Sequence, residues 1–157
     1  MMMGLTLDLI RIARLASPDV IGSGADRAAR WAIGWATVEL DRAASELARD
    51  LGISPGAFLD ALDSVALGAR CRVADDLLPG GLALVILEPA TEGRLAATLA
   101  RFGEGPAATW YRTETHVDIR ASSPRPGPFG SERLVAGDSV HGPHRLLIEP
   151  GTGTIAP

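Results

Sequence analysis

Two periodicities of hydrophobic and polar positions organise the first half of the chain. Residues 31–40 are rich in β-branched and aromatic side chains, which predicts a strand. Residues 41–52 place their apolar side chains at helical spacing after an N-capping Asp41 and end in glycine, which predicts a helix. Residues 64–75 predict one strand or two short ones, and the apolar run 82–89 predicts another. The expected order is therefore a strand, a helix, and two or three strands.

The second half begins with a linking helix and then repeats part of this order. A helix is predicted over 91–103, with Thr91 as its N-cap. A strand is expected over 106–114, and a proline- and glycine-rich loop over 122–132. Shorter strands are predicted at 117–121, 133–137 and 145–150. Because 115–128 contains no helical pattern, we expect this half to lack the helix that follows the first strand of the other half.

A repeated motif connects the two halves. The stretch "ILEPATEG" starts at Ile86 and "LIEPGTGT" starts at Leu147, and each places Glu-Pro directly after an apolar run. Strict alternation of strands and helices is absent, which argues against a parallel α/β sheet. The sequence therefore predicts an α+β fold made of two related modules.

A short helical extension is predicted before the two modules. Asp8, Arg11 and Arg14 recur every three residues with apolar residues between them, which is typical of an amphipathic helix. The chain then divides into this extension, a first module with its linking helix, and a second, shortened module, at 1–30, 31–105 and 106–157. We expect one domain in all, because 157 residues suit a single hydrophobic core.

Composition and charge exclude several classes of function. The chain has 46% hydrophobic and 22% charged residues and a net charge of −4, which is typical of a soluble globular protein. Its 15 basic residues are all Arg and are scattered, whereas a nucleic-acid surface needs clustered positive charge. No apolar run approaches the roughly 18 residues of a membrane span, and the N-terminus lacks the basic start of a signal peptide. We therefore expect a cytoplasmic protein with no nucleic-acid partner and no membrane association.

Three segments together resemble the vicinal oxygen chelate superfamily, which contains the glyoxalases, bleomycin-resistance proteins and methylmalonyl-CoA epimerase. "WATVELDRAASELARDLGI" from Trp35 resembles its opening β-α unit, and "HGPHRLLIEP" from His141 resembles its closing strand. "LALVILEPATEGRLAATLARFGEG" from Leu82 is similar to its fourth strand and linking helix. The resemblance covers the chain from about Trp31 to Pro150. It implies two βαβββ modules whose curled, mixed sheets surround a cup, often completed in a homodimer.

The resemblance also implies four metal-ligating positions in the cup, which hold His, Gln or Glu in metal-dependent members. In this chain they fall on Ala32, Val85 and Ala108. The fourth falls on Glu149 or on Leu146, because the last strand fits in two registers. Aliphatic side chains cannot bind a divalent cation, and a catalytic ion needs about three protein ligands. We therefore expect no metal and no other cofactor.

Alternation of side chains across a strand supplies the candidate ligand-binding groups. If Ala108 faces the cup, then Trp110 and Arg112 face it as well. If Glu149 faces the cup, then so does Arg145. The two Arg side chains could bind a carboxylate or phosphate by bidentate hydrogen bonds. Glu149 could act as a general base if burial raised its pKa, or it could form a structural ion pair with Arg112.

The other chemically reactive side chains point more to structural than to catalytic roles. His116 is a second candidate for proton transfer, because it lies just past a predicted strand, within reach of the rim of the cup. His141 and His144 are expected on a surface turn, and Glu88 is expected to accept hydrogen bonds from the N-terminus of the next helix. Burial in the core is expected for Trp31, Trp35 and the single cysteine, Cys71.

Three hypotheses for function follow. The first is a metal-independent protein that binds a small organic molecule with an anionic group, as resistance members of the superfamily do. The second is a metal-free isomerase, cyclase or lyase of secondary metabolism that uses a carboxylate or His for proton transfer. The third is a subunit whose modules only form a homodimer. A cup filled by the protein's own side chains would count against the first hypothesis.

Overall fold

The computed structural model describes residues 18–24, 26–113 and 115–150. Within them, nine strands form one mixed sheet and two α-helices pack against it. The strands are β1 (Val20–Ser23), β2 (Asp26–Ala36), β3 (Leu59–Ser64), β4 (Ala69–Leu78), β5 (Leu82–Pro89), β6 (Gly105–Arg112), β7 (Arg125–Gly127), β8 (Gly130–Leu134) and β9 (His144–Ile148). The helices are α1 (Leu40–Leu51) and α2 (Arg94–Phe102), and a 3₁₀ turn spans Pro55–Ala57.

Two four-stranded halves with the same internal order make up most of the sheet, whose full order is β3-β4-β5-β2-β6-β9-β8-β7. In the first half β2 pairs in parallel with β5, and β4 and β3 follow antiparallel. In the second half β6 pairs in parallel with β9, and β8 and β7 follow antiparallel. The halves meet at the antiparallel pair of β2 and β6, and β1 pairs with β2 alone. The α+β fold of two related modules is therefore confirmed.

The sheet curls until its two edge strands, β3 and β7, lie close together. The backbone N–H of Val65, just after β3, donates to the carbonyl of Pro126 in β7 at 3.1 Å. The concave face of the sheet therefore encloses a cup, with the two modules closing on each other along this seam.

Alternation along β2 decides which side chains face the cup. Ala32 and Ala36 join the buried apolar cluster on the concave face. Ile33 and Trp35 point to the convex face, where they pack with the apolar stripe of α1. This arrangement agrees with the prediction that small residues of this strand face the cup. It also agrees with the expected core role of Trp35, which packs against a helix.

The second module covers its convex face without a helix in the described part of the chain. An extended segment takes that place, and its Val117 is buried. The buried cluster there consists of Ile21, Ala28, Tyr111, Val117, Val135 and Leu147. The strand predicted at 117–121 does not form, because only Ala121 pairs, in an isolated bridge to Val135.

Several element boundaries differ from the prediction. β1 and the start of β2 occupy 20–23 and 26–30, so strand rather than helix forms the end of the predicted extension. The amphipathic helix predicted around Asp8 lies outside the described residues. The predicted loop 122–132 contains β7 and the start of β8. No helix among the described residues is long and apolar enough to cross a membrane.

The helix caps also differ from the prediction. α1 begins at Leu40 after Glu39, not after Asp41, and α2 begins at Arg94 after Gly93, not at Thr91. In neither helix does the N-cap side chain bind the backbone.

Candidate functional site

The four positions that hold metal ligands in related folds come together on the concave face. Ala32, Val85, Ala108 and Leu146 are all buried members of one apolar cluster. In the sheet register Gly34 lies between Val85 and Ala108, and Trp110 lies between Ala32 and Leu146. The centre of the cup is therefore lined by aliphatic side chains and filled by the protein's own residues.

The register of β9 decides which of the two alternatives for the last strand applies. Leu146 and Ile148 belong to the concave cluster, whereas Leu147 belongs to the convex one. Glu149 follows Ile148, and its carboxylate lies 3.4 Å from Nε of Arg133. Arg133 pairs with Leu147 in the sheet, so both charged groups lie on the convex side. Leu146, not Glu149, occupies the fourth position.

Glu88 is the counterpart of Glu149 in the first module. Its Oε2 accepts a 2.8 Å hydrogen bond from the backbone N–H of Leu40, the first residue of α1. Its other oxygen forms an ion pair with Arg70 on the neighbouring strand. The two Glu-Pro motifs therefore place equivalent carboxylates outside the cup, each beside an Arg of the adjacent strand.

A different carboxylate, that of Glu132 on β8, lies inside the cup. The residue is 1% exposed. Its Oε1 accepts a 2.8 Å hydrogen bond from Nε1 of Trp110, and its Oε2 accepts a 2.7 Å bond from Oγ of Ser64 at the end of β3. The carboxylate thus connects β6, β8 and β3 across the seam where the two modules meet.

The environment of Glu132 changes its acidity. Burial raises its pKa to about 7, against the opposing effect of the hydrogen bonds from Trp110 and Ser64. Its proton therefore titrates near neutral pH. Sequence reasoning missed this residue because "SSPRPGPFGSE" was interpreted as a loop. The available signal was the alternation Ser131, Glu132, Arg133, Leu134, in which Glu132 shares a face with an apolar residue.

Two glycines have no room for a side chain, which allows Glu132, Leu87 and Trp110 to pack closely against the backbone. A Cβ on Gly127 would lie 2.0 Å from Oε1 of Glu132. A Cβ on Gly34 would lie 2.8 Å from both Cδ1 of Leu87 and Cζ3 of Trp110. The Trp110 ring also meets that of Phe129 edge to face, with centroids 5.8 Å apart. Trp110, a predicted ligand-binding residue, is therefore enclosed by protein atoms.

Arg112, the predicted anion clamp, lies at the far end of β6 beside an open cleft. Its guanidinium stacks on the indole of Trp31, with 4.6 Å between Cζ and the ring centroid. A bulge in β2 between Arg30 and Ala32 places Trp31 beside it. The cleft has a volume of about 440 Å³ and is lined by Ala29, Arg30, Trp31, Arg112 and Thr113. Trp31 is 40% exposed, so it does not have the core role that was expected.

The remaining candidates are dispersed. Arg145 donates to the carboxylate of Asp138 through Nε at 2.9 Å. His116 and His141 are exposed. His144 is fully buried, which contradicts the expected surface turn. Its Nε2 lies 2.9 Å from Oγ1 of Thr98, and burial, with a smaller effect of the nearby Arg94 charge, lowers its pKa.

Cys71 is buried, as expected, and carries a free thiol. Burial raises the pKa of this thiol to about 12, so the reactive thiolate is scarce at neutral pH. Among the described residues, no group of three or more His, Cys, Asp or Glu side chains is arranged to hold a metal ion.

Solved structures with a similar fold are known, although no similar sequence is found. No protein-family model and no curated protein sequence matches the chain. A variant of Streptomyces coelicolor methylmalonyl-CoA epimerase in complex with 2-nitronate-propionyl-CoA is similar in structure, with a TM-score of 0.60 and 20% identity over 78% of this chain and 96% of that one. The epimerase from Mycobacterium tuberculosis gives a TM-score of 0.61 and 18% identity over 78% and 87%.

A hypothetical protein from Bacillus halodurans is also similar, with a TM-score of 0.58 and 16% identity over 76% of this chain and 92% of that one. These likenesses cover about three quarters of the chain and agree with its two-module mixed sheet. The chain therefore has the fold of the vicinal oxygen chelate superfamily.

Proposed function

We propose that this protein binds a small organic molecule with an anionic group, without a metal, in the cleft beside Arg112 and Trp31. One observation carries the proposal. The Arg112 guanidinium is stacked on a half-exposed indole at the wall of a cleft of about 440 Å³. No carboxylate among the described residues pairs with it. Ligand pockets have typical volumes of about 300–1,000 Å³.

The chemistry of this cleft suits an anionic, planar ligand. A guanidinium is planar, and stacking on an aromatic ring fixes its orientation while the N–H groups at its edge can bind a carboxylate or phosphate. The face of Trp31 offers an apolar surface for the rest of the ligand. Arg30 adds a second guanidinium to the lining, although it also lies 3.2 Å from Asp19.

The side chains at the centre of the cup support the proposal that binding needs no metal. The positions Ala32, Val85, Ala108 and Leu146 carry aliphatic side chains, which provide no ligand for a cation. Trp110 and its neighbours occupy this volume, and a filled cup counts against the first hypothesis in the form that the sequence suggested. We therefore place the ligand in the peripheral cleft and not in the cup.

Calorimetric titration tests this proposal with matched pairs of small aromatic ligands. Benzoate and phenyl phosphate are compared with benzamide, in buffer that contains EDTA. We expect the anions to bind and the neutral amide to bind at least about tenfold more weakly. Arg112→Gln should remove the preference, whereas Arg27→Gln, an exposed residue of the same strand as Trp31, should retain it. Equal binding of anions and amide by the unsubstituted protein would contradict the proposal.

The second candidate, a metal-free proton-transfer enzyme, is favoured by one observation. Glu132 is a buried carboxyl group whose pKa is raised to about 7, which suits a general base or acid at neutral pH. The carboxylates at Glu149 and Glu88 are less suitable, because each forms an ion pair on the convex side.

Deuterium incorporation tests this second candidate. The protein is incubated in D₂O with methylmalonyl-CoA, a ligand of one of the structurally similar epimerases. Exchange at the carbon between the carbonyl groups is followed by mass spectrometry. Exchange above the buffer rate that Glu132→Gln abolishes would support it for this class of substrate. A rate equal to that of buffer alone would remove methylmalonyl-CoA as a substrate.

The expected homodimer is also a proposal. Leu59, Leu62 and Val65 are exposed along the edge strand β3 and just after it, and a second copy could cover them. Native mass spectrometry of the unsubstituted protein and of Leu62→Glu tests this. A dimer that the substitution converts to monomer would support it, and a monomer in both would contradict it. The cytoplasmic location stays a prediction.

A further inference from the structure

A second cleft lies where α2 begins, away from the residues that line the Arg112 cleft. It has a volume of about 270 Å³. Arg94 borders it on one side, and residues 120–122 and 134–138 of the second module form the other sides. Its lining residues include Arg94, Arg120, Ser122, Leu134, Gly137 and Asp138. We propose that this cleft is a binding site for a compact oxyanion, such as a phosphate, sulfate or carboxylate group, held by Arg94 and Arg120.

Arg94 supplies the main observation. Its Nη1 is buried and has no hydrogen-bond partner in residues 18–24, 26–113 and 115–150. A buried charged N–H group without a partner is unfavourable, because it loses water and gains nothing in return. An oxyanion in the adjoining cleft would provide the missing acceptor by a charge-assisted bond.

Arg120 provides a second cation at the same cleft. The segment that carries it is fixed to the body of the protein, since its carbonyl accepts a 2.9 Å hydrogen bond from the N–H of Ala136. The next residue, Ala121, pairs with Val135 in a β-bridge. The guanidinium itself makes no ion pair within the described residues, so both Arg side chains of the lining are available to an anion.

The acidic residue in the lining does not cancel this charge. Three nitrogens of Arg145 contact the carboxylate of Asp138. The backbone N–H lies 3.0 Å from Oδ2, and Nε and Nη2 lie 2.9 Å and 2.8 Å from Oδ1. The charge of Asp138 is therefore balanced by a residue outside the cleft. The cleft therefore carries the positive charges of Arg94 and Arg120. This charge favours the binding of an anion over that of a metal cation. The volume suits a small anion or the anionic end of a longer molecule.

His144 provides an internal sensor for occupancy. It is buried beside Arg94, whose positive charge contributes to the lowering of its pKa, after the larger effect of burial. Asp138 acts in the opposite direction. An oxyanion bound to Arg94 would offset the guanidinium charge, so the pKa of His144 should rise when the site is occupied.

NMR titration with inorganic phosphate tests the proposal at constant ionic strength, with sodium chloride as the balancing salt. The imidazole resonances of His144 and the backbone resonances around Arg94 are followed, and glycerol 3-phosphate serves as a second probe. Saturable shifts with both probes are expected for a site that accepts a phosphate group. Saturation by inorganic phosphate alone would assign the site to the free ion, and saturation by glycerol 3-phosphate alone to the anionic end of an organic molecule.

Matched variants locate the site. Arg94→Gln and Arg120→Gln should each weaken binding at least several-fold. Arg101→Gln, on the exposed part of α2, should bind phosphate as the unsubstituted protein does. Because Arg120 is exposed, its substitution keeps the test valid even if Arg94→Gln unfolds the protein. Shifts that do not saturate, or that persist in both Arg94→Gln and Arg120→Gln, would overturn the proposal.

Discussion

Nε1 of Trp110 donates a 2.8 Å hydrogen bond to Oε1 of Glu132 in the interior of the cup. The two residues lie on β6 and β8, and Ser64 of β3 binds the other carboxylate oxygen. Because Ser64 belongs to the first module, the carboxylate of Glu132 links the two modules inside a mainly apolar core.

Glu132→Gln should change how stability depends on pH. Because burial raises the folded pKa to about 7, above the unfolded value, the folded state retains a proton that the unfolded state loses. The contribution of Glu132 to stability is thus fullest below about pH 4.5 and decreases as pH rises to about 7, by about 3 kcal/mol in all. Urea unfolding at pH 5 and pH 8 measures it.

The variant removes this titration. Relative to the unsubstituted protein, Glu132→Gln should therefore gain about 2 kcal/mol of stability between pH 5 and pH 8. The Cys71 thiol adds little to this difference, because its pKa of about 12 in the fold and its ordinary value of 9.0 both lie above pH 8. A difference between the two proteins that is independent of pH would show that Glu132 is ionised in the fold throughout.

Glu104→Gln should show the opposite dependence. The carboxylate accepts hydrogen bonds from Oγ1 of Thr37 at 2.6 Å, from the N–H of Val38 at 3.0 Å and from Arg42 at 2.6 Å. The Thr37 and Arg42 bonds are the main reasons that its pKa is lowered to about 2. Since the folded pKa is depressed, the stabilisation is present above the unfolded pKa and is lost as pH falls through about 2.

We expect Glu104→Gln to lose about 1 kcal/mol of stability at pH 7, a modest value because the carboxylate is partly exposed to solvent. The loss should become smaller as pH is lowered from about 4.5 towards 2, as measured by thermal unfolding. Glu46→Gln is the control, since Glu46 forms an exposed pair with Arg42 at 2.9 Å and should cost less than about 0.5 kcal/mol. Equal losses for both variants at pH 7 would contradict this interpretation.

Gly34→Ala should destabilise the cup by about 1–3 kcal/mol, because the added methyl group overlaps Leu87 and Trp110 in a closed core. Both atoms lie 2.8 Å from the position of the new Cβ. Gly56→Ala is the control, where the nearest atom, Oγ of Ser54, lies 3.5 Å away. Urea unfolding compares the two variants. A Gly34→Ala protein as stable as the parent would show that the interior has free space at this position.

Cys71 should react with a thiol reagent such as DTNB only after unfolding. The residue is 3% exposed, and the thiol pKa of about 12 leaves very little thiolate at pH 8. We expect one equivalent to react within minutes in concentrated urea, and at least about a hundredfold more slowly in buffer. Rapid reaction of the folded protein would mean that β3 and β4 open readily at this edge of the sheet.

The two modules could be predicted from the sequence because their motifs are short, local and present twice. The Glu-Pro motifs mark the ends of β5 and β9, and the apolar runs before them form buried strands. The internal repeat also gave the correct register for the last strand, with Leu146 inside. The resemblance to the wider fold suggested Glu149 as an alternative, and the ion pair with Arg133 shows why that carboxylate is on the convex side.

The site residues were harder to predict, because they depend on contacts between distant segments. Glu132 meets Ser64 only where the sheet curls, 68 positions away in the chain. The position of Arg112 beside Trp31 depends on a bulge, which shifts the alternation that places side chains on one face. His144 is buried and contacts Thr98 of α2, and nothing in "HGPH" indicates that contact.

The central claim is that an anionic small molecule binds between Arg112 and Trp31 without a metal. Titration of the ¹⁵N-labelled protein with phenyl phosphate in EDTA, followed through the three Trp indole N–H resonances, tests it most directly. We predict saturable shifts that are largest for Trp31 and that Arg112→Gln weakens about tenfold. Shifts that are largest for Trp110, or binding that requires an added divalent metal, would contradict the account.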